Sequence, residues 1–198
     1  MSPALRRGLV AFIVVLVALV GAIAYSEFFA PLSLTERADV PIGGPFTLTD
    51  QNGAIRHDSD FRGKLMLVYF GYTYCPDVCP TTLSLMTQAL NKLGPKAHDV
   101  QPIFITVDPR RDDVAQMKLY AGNFAPDLEA LTGTPDQIAA VAREYRVYFQ
   151  EAKSADGGSY TVDHSSIVYL MGRDGRYVGH FDPDITADGM ADALRKYL

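Results

Sequence analysis

Only two of the chain's 198 residues are cysteines, and both lie in one decapeptide, GYTYCPDVCP at 71–80, wedged between segments of opposite periodicity. Ahead of it runs Lys64 to Phe70 (KLMLVYF), almost wholly apolar, as a strand buried on both faces is. Behind it, Leu83, Met86, Leu90 and Leu93 recur at helical spacing from Pro80 until Gly94-Pro95 stops the run. Cys75 and Cys79 therefore sit where a buried strand hands over to a helix. Two cysteines are too few for a disulfide-stapled miniprotein, or for a four-cysteine zinc or iron–sulfur site within one chain. Three roles stay open for them: pairing with each other, binding something together, or serving as inert buried residues.

The rest of the pattern extends this junction into a sheet covered by helices. Phe46 to Thr49 alternates, Gln51-Asn52-Gly53 supplies a hairpin turn, and Ala54-Ile55 resumes the alternation. Ile103 to Val107 reads as a second buried strand and Asp112 to Phe124 as a helix. Thr134-Pro135-Asp136-Gln137 opens another, with Thr as N-cap, Pro at the first helical position and Gln three residues after the cap. Its apolar stripe is Ile138, Val141, Ala142 and Tyr145. Val147 to Phe149 and Tyr160 to Val162 flank a polar loop, EAKSADGGS at 151–159. Ser166 to Met171 is an apolar strand, Asp174-Gly175 a turn into Arg176 to Phe181, and Thr186 to Tyr197 the closing helix. The order is β-hairpin, β, α, β, α, α, β, β, α, with no internal repeat. It predicts a mixed sheet flanked by helices, with a right-handed βαβ crossover. A cysteine pair at the first strand–helix junction of such a sheet is the thioredoxin arrangement, here with an N-terminal β-hairpin extension.

Gly8 to Ser26 is nineteen residues without a charge, preceded by Arg6 and Arg7 and followed by Glu27. As a helix it spans roughly 28 Å, close to a bilayer's hydrocarbon core. The flanking arginines place the N-terminus in the cytoplasm and residues 30–198 across the membrane. Ala22-Ile23-Ala24 resembles a signal-peptidase site, but the stretch exceeds the ~7–15 residues of a signal peptide's apolar region, so an uncleaved anchor is expected. Seven residues ahead of it leave no room for a mitochondrial transit peptide. A bacterial inner membrane with a periplasmic domain is the simplest location. The expected divisions are 1–26 for the N-terminus and transmembrane anchor, 27–42 for a Pro- and Gly-bearing tether, and 43–198 for the folded domain. A net charge of −5 with no dense Lys/Arg run argues against nucleic-acid binding, which phosphate neutralisation drives.

A thiol at a helix N-terminus has a lowered pKa, which makes thiolate available as nucleophile or metal ligand. A spacing of four puts both sulfurs on one side of the first turn. Three intervening residues give a wider separation than thioredoxin's two, which favours a shared metal without excluding a disulfide. A static disulfide would close too short a loop to constrain much of the unfolded chain. Of the four histidines, His57, His98 and His180 fall in loops or at a strand end, where a solvated ring is the default. His164 differs. Asp163-His164-Ser165 immediately precedes the strand SIVYLM, which in a thioredoxin-like fold runs beside the cysteine-bearing strand. Thioredoxins keep a proline in this region, whereas this chain has none between Pro135 and Pro183. Two thiolates and an imidazole form a soft donor set that suits copper, Cu(I) especially. Asp163 or a backbone carbonyl would orient the ring.

The segments GGPFTLTDQNG (43–53), GKLMLVYFGYTYCPDVCPTTL (63–83), FITVDPRRD (104–112), YRVYF (145–149) and VDHSSIVYLMGRDG (162–175) together resemble the SCO/SenC family. The resemblance covers residues 43–198 and fits an N-terminal anchor. It implies a thioredoxin-like, membrane-tethered copper protein that helps assemble the binuclear copper centre of cytochrome c oxidase subunit II. It also implies Cys75, Cys79 and His164 as the copper ligands. The implied partners are the subunit II copper domain, another copper chaperone, and a periplasmic thiol reductant, since the ligands must be reduced in an oxidising compartment. A second reading makes Cys75 and Cys79 the redox pair of a thiol–disulfide oxidoreductase that reduces the acceptor's cysteines. A third is a copper or redox sensor. A thiol peroxidase is the weakest, because Thr73 is available but no arginine lies near the motif in sequence. The resemblance also draws attention to Asp108, either as an acidic contact or tuner of the site, or as a turn former before Pro109. Asp77 is expected to cap the helix or favour a cation, Met66 and Met86 to pack in the core, and Tyr72 and Tyr74 either to shield the site or simply to pack beside it.

Overall fold

The computed structural model describes residues 41–153 and 160–198, together with Arg6, Leu16, Leu19 and Val20, which are helical. The chain divides into two compact units, Met1–Glu36 and Arg37–Leu198. The expected anchor and the tether lie outside the described residues, those four and Pro41-Ile42 excepted, as does the loop at 154–159. Among the described residues no helix is long and apolar enough to cross a membrane.

The second unit is built on a seven-stranded mixed sheet in the order β2-β1-β5-β4-β3-β8-β9. Its centre is β3 (Leu65–Gly71) paired in parallel with β4 (Val100–Thr106), and every residue of both strands is buried. That burial explains the unbroken apolar run at 65–70. On the other side β3 pairs antiparallel with β8 (Val168–Met171), which pairs antiparallel with β9 (Tyr177–Phe181). The expected hairpin is β1 (Thr47–Asp50) and β2 (Ile55–His57). The Asp50 carboxylate closes it, accepting from the backbone N–H groups of Asn52 (2.8 Å) and Ala54 (2.9 Å) and from Arg56 Nε (2.9 Å). Gly53 there takes φ +84°, which a side chain would strain.

Several strands depart from the sequence pattern. β5 (Glu129–Thr132) was not expected: four residues with only Ala130 and Leu131 apolar give no run to detect. It is nonetheless what fastens the hairpin to the sheet, parallel to β4 and antiparallel to β1. β4 begins three residues earlier than expected because it runs through Pro102. That proline precedes the stretch Ile103–Ile105 that pairs with β5, so its missing N–H costs no ladder bond on that side.

Three of the α-helices start where side chains cap them. α1 (Val78–Leu93) follows β3, α2 (Val114–Ala121) follows β4, α3 (Pro135–Glu144) follows β5, and α4 (Ala187–Arg195) closes the chain against α1. Thr134 and Gln137 form the expected reciprocal capping box of α3. Asp113 caps α2 by accepting from Gln116 N at 2.8 Å, and Thr186 caps α4. Met66 and Met86 are core residues, as expected. The two strands outside the seven-stranded sheet, β6 (Phe149–Ala152) and β7 (Thr161–His164), form a separate antiparallel ribbon that brings His164 opposite Phe149. The strand expected at 147–149 thus begins two residues later and ends at 152.

Candidate metal centre

The site forms where the C-terminal end of β3, the first turn of α1 and the end of β7 meet. Cys75 lies in the connection, half-buried, and Cys79 is the second residue of α1, fully buried. Both are free thiols. The ribbon places His164 Nε2 3.3 Å from the Cys79 sulfur. The three donor atoms lie within 4.8 Å of one another, and among the described residues this is the group of His, Cys, Asp or Glu side chains able to hold a metal ion. The other histidines stay apart: His57 contacts Thr47 Oγ1 (3.0 Å), His98 pairs with Asp99 (3.2 Å) and His180 meets Tyr177 Oη (2.6 Å).

The first turn of α1 is organised by sulfur rather than by the expected aspartate. Asp77 occupies the N-cap position but its carboxylate caps no backbone N–H; it accepts only from Thr81 Oγ1 at 3.5 Å. The Cys75 sulfur instead accepts the backbone N–H of Cys79 at 3.4 Å. The two thiols consequently diverge, where the sequence predicted both to be acidified. A hydrogen bond from the Cys79 thiol, countered by burial and reinforced by two backbone N–H groups, holds Cys75 well below the usual thiol range. The same bond and deep burial push Cys79 far above it. One proton is shared between two sulfurs: Cys75 is the thiolate and Cys79 the donor. Alkylation of the reduced protein near pH 6 should therefore modify Cys75 and spare Cys79, as peptide mapping would show; equal labelling would contradict this asymmetry.

His164 is held in the form a metal needs. Its Nδ1 faces the Ser165 carbonyl oxygen at 2.9 Å and donates to it, which leaves the Nε2 lone pair toward the sulfurs. Of the two orienting groups expected, the backbone carbonyl does this and the exposed Asp163 does not. Tyr72 and Tyr69 meet the imidazole edge-on, with ring centroids at 5.9 and 6.2 Å. Tyr72 is buried and shields the site, whereas Tyr74 is exposed.

One turn between β4 and α2, residues 108–112, braces both halves of the site. The buried Asp112 carboxylate accepts from Thr73 N (3.0 Å), Thr73 Oγ1 (2.7 Å) and Thr106 Oγ1 (2.6 Å), fixing the chain two residues before Cys75. Asp108 is also buried, paired with Arg111 and bonded by Tyr160 Oη at 2.8 Å. It is therefore an internal brace and not a surface contact for a partner. The Arg111 guanidinium lies 3.8 Å from the Tyr160 ring centroid, with Tyr74 and Tyr72 at 5.0 and 5.6 Å. The fold thus does bring an arginine to the motif, which sequence distance hid. Thr73 is committed, however: its hydroxyl donates to Asp112 and accepts from Gln116 Nε2 at 2.9 Å, so the peroxidase reading gains nothing.

Gly71, at the end of β3, was not singled out from the sequence, yet a Cβ there would lie 2.7 Å from the Cys79 sulfur and 3.0 Å from Phe104. Its position directly after the apolar run, at the head of the cysteine-bearing segment, is the signal that marks it. Gly71→Ala should displace the sulfur and lower copper affinity by about 10-fold or more, as for other changes in groups that hold a ligand in place. A chelator-competition titration reads this directly, and wild-type affinity would contradict it.

Two thiol sulfurs and one imidazole nitrogen are a soft donor set that fits copper. Comparison with known proteins agrees. The family model described as SCO1/SenC matches residues 35–198. The mitochondrial SCO2 homologue of Bos taurus is 42% identical over 157 residues; the match covers 78% of this chain and 59% of that protein, so the chain spans about three-fifths of that relative's length. The structure of Bradyrhizobium japonicum ScoI with copper bound is 49% identical with a TM-score of 0.74, covering 79% of this chain and 99% of that one. BsSco, described as a member of the Sco family of cytochrome c oxidase assembly proteins and as carrying a disulfide switch, is 26% identical with a TM-score of 0.64; the match covers 83% of this chain and 95% of that one. These neighbours share the thioredoxin-like mixed α/β fold expected from the sequence.

Proposed function

Because this chain belongs to the SCO1/SenC family, we propose that it is a membrane-tethered copper metallochaperone, which delivers copper to, or helps assemble, the binuclear copper centre of cytochrome c oxidase subunit II. The observation that carries this reading is the convergence of Cys75, Cys79 and His164 within 4.8 Å. Copper is cargo here. Cys75 offers a half-exposed thiolate from which an incoming ligand can displace the metal, while buried Cys79 and His164 hold it. Stepwise exchange of thiolate and imidazole ligands moves copper to an acceptor with ligands of the same kind, and no bond within this protein changes. The nineteen uncharged residues behind Arg6 and Arg7 support an anchor at 1–26 in a bacterial inner membrane, a tether at 27–42 and a periplasmic domain at 43–198. A periplasmic reductant keeps the thiols free, and a further chaperone is the proposed copper source.

The test is the copper content and charge-transfer spectrum of the purified, reduced protein against His164→Ala. The expected result is one copper per chain in the wild type, with weakened binding and an altered spectrum in the variant. Unchanged affinity and spectrum would rule out the three-ligand site.

The divergence of the two thiols favours one further reading. A Cys75 thiolate is suited to attack an acceptor disulfide, releasing one acceptor thiolate and forming a mixed disulfide. Cys79, deprotonated, then displaces the second acceptor thiolate. The acceptor gains two electrons and this protein keeps the Cys75–Cys79 disulfide. That activity survives His164→Ala, whereas copper delivery does not.

A further inference from the structure

Tyr69 lies on β3, wholly buried, with its ring edge-on to His164 and stacked on Phe104 at a centroid separation of 6.2 Å. Its hydroxyl is buried without a hydrogen-bond partner. A buried unpaired hydroxyl is costly and calls for an explanation. Two observations locate it. The Cβ position of Gly71 lies 2.7 Å from the Cys79 sulfur and 3.4 Å from the Tyr69 ring, so sulfur and ring close over the same bare glycine. The neighbouring Thr82 hydroxyl already gives its proton to the Val78 carbonyl at 2.9 Å. Burial above all, and then the charge at Cys79, push the phenol far above its ordinary value, and the Thr82 hydroxyl and the Cys79 sulfur both lie within reach of it.

We propose that Tyr69 is a positioning residue for copper, whose hydroxyl donates to the Cys79 sulfur when that sulfur is a copper ligand. A neutral thiol is a weak acceptor. Metal binding requires the thiolate, so copper takes the place of the Cys79 proton, which leaves to solvent. The thiolate is a stronger acceptor for the hydroxyl than the neutral thiol, so the pairing tightens in the loaded protein. The hydrogen bond draws charge from the sulfur, fixes it against Gly71 and favours the loaded form. This inference rests on the three-ligand reading and deepens it.

The test uses the full chain in detergent, reduced, titrated with Cu(I) against a chromogenic chelator, with the Cu(II) spectrum recorded separately. Four proteins are compared: wild type, Tyr69→Phe, Tyr120→Phe and His164→Ala. Tyr120 also has a buried, unpartnered hydroxyl, but the two sulfurs act on it only through their charge. Tyr69→Phe should lower copper affinity about 10-fold, as loss of an outer-sphere hydrogen bond to a ligand does. It should also move the sulfur-to-Cu(II) charge-transfer band to lower energy and leave the melting temperature of the copper-free protein unchanged or raised. Tyr120→Phe should match wild type. If Tyr69→Phe matches wild type in affinity and spectrum while His164→Ala differs, the inference is overturned and the three-ligand site stands. If His164→Ala also matches, both fall. A Tyr69→Phe protein that loses copper-free stability but keeps wild-type affinity would show an ordinary structural hydroxyl and overturn the inference as well.

Discussion

Cys79→Ser should cost far more copper affinity than any other substitution here, beyond the roughly 100-fold that marks the upper range for outer-sphere losses. The change is nearly isosteric, so the fold should survive it. Yet it removes the most enclosed donor of the set: Cys79 is fully buried, faces His164 Nε2 at 3.3 Å and sits against Gly71. A hydroxyl oxygen is a hard, weakly acidic donor and a poor ligand for Cu(I). Serine keeps an O–H that can donate to the Cys75 sulfur, so Cys75 should stay below the ordinary thiol range and reactive near pH 6. Chelator competition and alkylation rate on the same preparation check both effects. Retained Cu(I) binding would place the metal elsewhere.

Asp112→Ala should be the most damaging change outside the ligands. It strips three donors of their acceptor in a buried position: Thr73 N, Thr73 Oγ1 and Thr106 Oγ1. At about 1 kcal/mol per lost bond the cost is about 3 kcal/mol of stability. Thr73 lies two residues before Cys75, so copper affinity should fall with it. The carboxylate also makes stability depend on pH. Burial raises its pKa above the ordinary value of 3.8, and the threonine bonds only partly offset this. The folded protein therefore holds this proton more tightly than the unfolded chain. The contribution is fully present below about 3.8 and is lost as pH rises through the raised folded value. Asp112→Asn, which cannot ionise, should flatten that part of the profile. Urea unfolding of both variants from pH 3.5 to 6 measures the cost and the slope. Identical slopes for wild type and Asp112→Asn would contradict this role.

Local rules made the central architecture readable. Two buried strands announced themselves as apolar runs, Thr134 and Gln137 announced α3, and the cysteine motif fixed the strand–helix junction. β5 was hidden because its four residues, Glu129–Thr132, carry too little apolar signal, although β1 has no route into the sheet without it. The cluster of Cys75, Cys79 and His164 was legible for a different reason: soft donors are few, and only one histidine precedes a strand expected beside the cysteines. What surrounds the ligands was not. Which thiol keeps the proton depends on a hydrogen bond between sulfurs and on unequal burial. Asp108 was ambiguous because a turn-forming aspartate before proline reads the same on a surface and in an interior. The Arg111 stack, the Asp112–Thr73 bond and the Tyr69 hydroxyl all join residues far apart in the chain, and no short-range pattern encodes them.

The central claim is that the three residues hold copper in order to pass it on. Cu(I)-loaded full-length protein, mixed with the copper-free subunit II copper domain under anaerobic conditions and then separated, tests it most directly when metal and free thiols are counted on both partners. Copper should move to the acceptor with the thiol count of each protein unchanged. Thiols lost from Cys75 and Cys79 and gained by the acceptor, with copper left where it began, would contradict delivery and make the protein a reductase of its partner.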